Sequence, residues 1–413
     1  MEKLLQYVWK HKILPLHELR TTDGRIVEVL DPGLQNINAG PDFINAKVKI
    51  DGILWAGNIE VHERSSQWYQ HGHDKDPKYD NVILHVVERA DCDVLIHNAD
   101  TLTQLELKVP EKIKADYDTL LLTDKFPPCY EIIPSLSDIM MHSWLAALQT
   151  ERLEQKTVHI LETAERCIFD WEKTYFVTLS RNFGFGVNGD VFEEWASNIN
   201  LSTLAHHKDN LMQIEAMFFG QAGLLGERTY KHDDGYAEKL RQEYKYLSEK
   251  FGLTQIDGNK WNFLRTHPQN FPDIRISQLA NLYCDDKTSV VRLMECADAD
   301  DLKNLFRTHI TAQWGTPCYN LSSSSVNLLA INTAVPIMFA YGRYRGDELL
   351  CDKALSLLDT LKSEDNHITR MWKQAGIEAR TAGDSQALIQ LKKEYCDKKD
   401  CLRCRIGYEY LKI

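Results

Sequence analysis

Apolar residues follow one rhythm before about residue 110 and another after Ser137. The first stretch has short alternating runs; the second recurs at helical spacing. Phe43, Ala46, Val48 and Ile50 read as one strand and Ile53, Trp55, Ile59 and Val61 as the next, with Asp51-Gly52 as the hairpin turn. Further strands are expected over Arg25 to Leu30, Asn81 to Val87, Asp93 to Ile96 and Thr103 to Val109. A helix over Leu4 to Ile13 precedes them, and a short one over Ser65 to Gln70 interrupts them. The resulting order is helix, three strands, helix, strand, with more strands after. Phe126-Pro127-Pro128 and Pro134-Ser135 read as a linker.

In the second stretch Ser137-Asp138 caps a long helix running towards Arg166. Other helices are expected over Trp171 to Arg181, Tyr236 to Phe251, Ile274 to Tyr283 and Ser385 to Tyr395. Val335-Pro336-Ile337-Met338-Phe339 reads as the core of a buried, proline-kinked helix. No repeat period stands out. The pattern predicts an α+β protein: a mixed-sheet domain over 1–125, then an all-α domain over 135–413.

Composition changes this picture little. At 413 residues, with 43% apolar and 26% charged, the chain is an ordinary globular sequence. A net charge of -12 is the wrong sign for a broad nucleic-acid footprint, though an acidic catalytic centre with local basic patches remains compatible with it. No apolar run approaches the ~20 residues of a membrane span, and the opening Met1-Glu2-Lys3-Leu4-Leu5 lacks a signal-peptide pattern. The expectation is a cytoplasmic protein with mostly reduced thiols among its ten cysteines and no membrane partner.

The chemistry concentrates between residues 40 and 87. Asp42 follows Gly40-Pro41, and Glu60 is separated from His62 by Val61. A hairpin brings two such carboxylates to one end of a sheet, a site for a hard divalent cation. The alternative is that Asp42 caps a turn while Glu60 and His62 are same-face strand residues. His71-Gly72-His73 and His85 lie in the same short stretch, and so many proton- and metal-capable groups favour a site. His85, in an apolar strand, also reads as a core histidine. Trp68 is a candidate apolar wall. The run His71-Gly72-His73-Asp74-Lys75-Asp76 comes close to the ligand signature of metallo-β-lactamase-like hydrolases. Lys75 and Asp76 occupy its last two positions, and that reading is set aside.

Two further constellations lie in the helical stretch. Cys396, Cys401 and Cys404 have the spacing C-x4-C-x2-C in a basic tail, and the C-x2-C part suits zinc or an iron–sulfur centre. A fourth ligand is then required, with Cys351, Cys318 or His367 as candidates from the helical domain. Arg265, His267, Asn270 and Arg275 read as an anion pocket or as the brace of a long loop.

The Asp42 and Glu60-Val61-His62 pair, with the strand order around it, resembles the PD-(D/E)xK (restriction-endonuclease-like) nuclease superfamily. The resemblance implies that both carboxylates bind Mg²⁺ or Mn²⁺, that the third motif position handles the attacking water, and that nucleic acid is the partner. His62 stands where that family has Lys, and Glu18 is a further acidic candidate. Some members carry an iron–sulfur cluster, with a different cysteine order. Over nearly its whole length the chain also resembles a bacterial family catalogued as a domain of unknown function. That likeness rests on Asn38-Ala39-Gly40-Pro41-Asp42-Phe43, Glu60-Val61-His62, Trp68, His71-Gly72-His73 and Leu84-His85-Val86-Val87. Gly220-Gln221-Ala222-Gly223-Leu224-Leu225 and the tail cysteines extend it.

The leading expectation is a Mg/Mn-dependent phosphodiesterase. Asp42 and Glu60 are its metal ligands, His62 its base, and His71, His73 or His85 assist. The alternatives are a non-catalytic binding protein on a decayed nuclease fold and a zinc-dependent hydrolase using the histidine cluster. Oligomeric state is not legible from sequence.

Overall fold

The computed structural model describes residues 1–14, 18–36, 38–97, 100–226, 235–264, 270–307 and 320–412. The protein is mixed α+β. Its contacts divide it into two units, Met1–Leu136 with Tyr395–Ile413, and Ser137–Glu394. The tail, expected with the helices, therefore groups with the N-terminal sheet.

The first unit opens with helix α1 (Glu2–Lys10), whose Leu4, Leu5, Val8 and Trp9 are buried. A seven-stranded sheet follows. Its strands are β1 (Leu19–Arg20), β2 (Ile26–Asp31), β3 (Leu34–Gln35), β4 (Phe43–Ile50), β5 (Ile53–Arg64), β6 (Val82–Arg89) and β7 (Gln104–Glu106). The main path is β1-β2-β4-β5-β6-β7, with β3 on β4. Strands β2, β4 and β5 form an antiparallel meander, and Ile50 pairs with Ile53 across the expected Asp51-Gly52 turn. β5 and β6 are parallel, joined through helix α2 (Gln67–Gln70).

Three outcomes differ from expectation. The sheet nearly closes into a barrel, because Thr21 bridges Leu105 and the Thr22 N–H donates to the Gln104 carbonyl at 3.0 Å. The expected strand over Asp93 to Ile96 is reduced to a bridge between Leu95 and Thr101. Helix α3 (Glu111–Leu122) was not anticipated, since only Ile113 and Leu120 on it are buried and its apolar signal is weak.

The second unit is helical. Ser137 does cap the long helix Asp138–Arg166, its hydroxyl accepting from the Met140 N–H at 3.3 Å. The stretch Ser323–Arg345 is long and apolar enough to cross a bilayer, yet Ala330, Ile331, Ala334, Val335, Ile337, Met338 and Ala340 are fully buried in this unit's core. Its proline is accommodated by a π-helical turn at Ala330–Ala334, which widens the backbone just before Pro336.

Candidate metal centre

Register gathers the site. Glu60 lies beside His85 in the parallel β5–β6 pair. Residues two apart on a strand share a face, so Glu60, His62 and His85 project together. The crossover returns over that face: α2 packs on β5 and leads into the turns His73–Lys75 and Pro77–Tyr79. Gly72 adopts φ 74, a left-handed conformation that turns the chain between His71 and His73. The histidines of the loop are thereby folded onto those of the strand.

His62 Nδ1 lies 2.8 Å from His85 Nε2, and His62 Nε2 lies 3.1 Å from His71 Nδ1. Glu60 Oε1 is 3.5 Å from His62 Nε2 and 3.2 Å from His73 Nε2. One ligand atom each from His62, His71 and His73 falls within 4.8 Å of the other two. Around an ion with bonds of ~2.0–2.1 Å, tetrahedral ligands sit ~3.3 Å apart. The separations of 3.1, 3.2 and 3.5 Å bracket that edge. His73 Nε2 is also buried without a hydrogen bond, with Glu60 Oε1 3.2 Å away. A buried, unsatisfied ring nitrogen is costly, and an ion between these groups would satisfy it.

Electrostatics keep the ring lone pairs available. Burial, then the neighbouring His85, His71 and His73, push His62 down to about 2. Burial and His73 push His85 down to about 3. Both rings are neutral at ordinary pH, the form that ligates metals. If His62 Nε2 faces an ion, its Nδ1–H donates to His85 Nε2, which fixes the tautomer and ring orientation.

Asp42 and Glu60 are tied together through backbone amides. The Asp42 N–H donates to Glu60 Oε2 at 3.1 Å, and the Val61 N–H donates to Asp42 Oδ2 at 3.0 Å. Burial first, and then Glu60, raise the Asp42 carboxyl above its ordinary range. Glu60 Oε1 is the carboxylate oxygen that meets the histidines, whereas one Asp42 oxygen caps a backbone amide. Glu18 is exposed, paired with Arg20 at 2.6 Å, and is not part of the cluster.

Aromatic rings wall the site. Tyr79 stacks on His73 with centroids 3.8 Å apart, and Trp68 meets His73 edge-on at 5.4 Å. Trp68 is fully buried and donates its indole N–H to the Leu95 carbonyl at 3.2 Å. His71 is exposed, so the cluster opens to solvent on that side. Tyr79 was not anticipated; its signal was a lone aromatic after Pro77, just before an apolar strand.

The other candidates fall elsewhere. Cys396, Cys401 and Cys404 come together in the first unit beside Cys129. Of the fourth ligands expected from the helical domain, Cys351 and His367 belong to the second unit, and Cys318 lies outside the described residues. Arg265 and His267 also lie outside them. Arg275 is buried, donates to Gln278 and Asn270 at 2.8 and 2.6 Å, and stacks on Phe185.

No curated protein and no solved structure significantly matches this chain. A family model described as "Protein of unknown function (DUF2851)" matches residues 2–367, a range that holds every residue of the histidine–carboxylate cluster and Cys129 but stops short of the tail cysteines. The chain belongs to that family.

Proposed function

We propose that this protein is a transition-metal-dependent hydrolase whose substrates are phosphodiesters. The observation that carries the reading is the convergence of His62, His71 and His73, one ligand atom each within 4.8 Å of the others, with Glu60 Oε1 at 3.5 Å from His62 Nε2 and 3.2 Å from His73 Nε2. An imidazole-rich donor set suits Zn²⁺ or Mn²⁺ and disfavours Mg²⁺, which prefers oxygen ligands. Of the Mg/Mn expectation, the manganese half is therefore retained.

His62, His71, His73 and Glu60 would hold the ion, and His85 would orient His62. A bound ion supplies Lewis acidity and a water of lowered pKa. Asp42 adjoins Glu60, which places it to exchange a proton with the reacting group. The open side at His71 leaves room for substrate. The phosphodiester class is supported by the element order: a helix, an antiparallel meander, a short helix and a parallel strand, as in the restriction-endonuclease-like core. Nucleic acid is then the proposed partner.

The test is hydrolysis of bis(4-nitrophenyl) phosphate and of single- and double-stranded DNA and RNA. The chain is stripped with chelator and reloaded with Mn²⁺, Zn²⁺ or Mg²⁺. Cleavage is expected with Mn²⁺ or Zn²⁺ and is lost in Glu60→Gln and in the His71→Ala/His73→Ala double variant. Undiminished cleavage in those variants would overturn the assignment. So would no cleavage with any ion, which would favour a binding protein.

A further inference from the structure

The geometry points to a second metal centre, in which Cys129, Cys396, Cys401 and Cys404 hold an iron–sulfur cluster that pins the C-terminal segment within the first unit. The four thiols come from places 267 residues apart in the chain (129 and 396) and meet in one compact unit. Cys129, Cys401 and Cys404 are buried, Cys396 is half-buried, and none is in a disulfide. Cys129 lies within electrostatic reach of Cys401 and Cys404, and Cys396 within reach of all three others.

The backbone is shaped to bring them together. Cys129 immediately precedes the 3-10 turn Tyr130–Ser135, and the C-terminal helix Arg405–Leu411, which follows Cys404, packs on that turn and on α3. Cys401 begins a tight 3-10 turn ending at Arg403. Gly407 presses against the Cys401 carbonyl so closely that a Cβ there would come within 2.1 Å of the oxygen. The loop between Cys396 and Cys401 is tied down by Lys399, whose Nζ donates to the Thr123 carbonyl at the end of α3 at 3.1 Å. Simple packing calls for no such gathering of sulfur; aliphatic side chains fill apolar space equally well.

Spacing selects the kind of centre. Around one zinc, with Zn–S bonds of ~2.3 Å, thiolates sit ~3.8 Å apart. Among the described residues, no three of these sulfurs lie mutually within 4.8 Å. As placed, they stand farther apart than the ligands of one ion. A polynuclear iron–sulfur cluster takes one thiolate at each of its corner irons and so needs wider spacing from a set of four cysteines. This centre is independent of the histidine cluster, and its failure would leave the proposed activity untouched.

The experiment is anaerobic purification of the full chain without chelator, followed by iron, zinc and acid-labile sulfide analysis and EPR before and after reduction. The expected result is ~4 iron and ~4 sulfide per chain, with a reducible cluster signal. Cys129→Ser and Cys404→Ser are each expected to lose most of the iron, whereas Cys351→Ser, in the second unit, keeps it. If the serine variants are insoluble, wild-type stoichiometry and EPR still decide. One zinc per chain without sulfide, or no metal after anaerobic reconstitution with iron and sulfide, would overturn the cluster. Full iron retention in Cys129→Ser would overturn the four-cysteine set.

Discussion

At His62 both ring nitrogens have a neighbour that defines their job: His85 behind and His71 with Glu60 in front. Removing the rear acceptor leaves the ring free to rotate and its Nδ1–H unpaired. His85→Leu is therefore expected to weaken Mn²⁺ or Zn²⁺ binding ~10–100-fold, the usual cost of losing an outer partner of a ligating histidine. His85→Gln, which keeps an acceptor, should recover part of that loss in the same titration calorimetry. Equal affinity in both variants and wild type would show that His85 is only a core residue. The sequence made the residue types and their crowding visible. It did not reveal that Glu60 would present one oxygen to the histidines and spend the other on the Asp42 amide, because that depends on side-chain direction across a strand pair. Nor could it show Cys129 joining the tail cysteines, since that meeting is purely tertiary.

Among the elements, β5 does the most positioning. Its first half pairs with β4 in the hairpin and its second half carries Glu60 and His62 along β6. Gly57 lies where the two regimes meet, and the Asn58 N–H donates to the Asn81 carbonyl at 2.8 Å. A Cβ at Gly57 would lie 2.4 Å from Ile83 Cγ2 and 2.7 Å from the Asn81 carbonyl. Gly57→Ala should destabilise the first unit by ~1–3 kcal/mol through overpacking, seen as a lower Tm together with weaker metal binding. An unchanged Tm would mean that β6 shifts freely. The hairpin itself was legible, because alternation and an Asp-Gly turn are local signals. The near-closure of the sheet was not, because it rests on two-residue β1 meeting β7, with no periodicity to read. Helix Tyr236–Phe251 matched its pattern end to end, helped by left-handed Gly252 as its stop.

At the scale of the whole molecule, the two units carry separate physics. In the second, Lys156 Nζ donates to Asn332 Oδ1 at 2.8 Å and Gln386 Oε1 at 2.7 Å. Burial pushes this lysine down to about 7. Unfolded, it holds its proton to ~10.4. Between those values the unfolded chain binds more protons, so this group makes stability rise with pH; below about 7 both states are charged and the slope vanishes. Lys156→Met removes that rise. The urea midpoint of wild type relative to the variant should therefore increase from about pH 7 to about pH 9; a constant difference would contradict the shift. The division into sheet and helical stretches was legible from the change of period at Ser137. The return of the tail to the first unit was not, because residues 395–413 carry the same helical pattern as those before them.

The most direct test of the central claim is a crystal structure of the Zn²⁺- or Mn²⁺-loaded protein with anomalous data at the metal's absorption edge. A peak is expected between His62 Nε2, His71 Nδ1, His73 Nε2 and Glu60 Oε1, with metal–nitrogen distances of ~2.0–2.1 Å for zinc. An anomalous map with no peak among those four groups, or with the ion held by Asp42 away from the histidines, would contradict it.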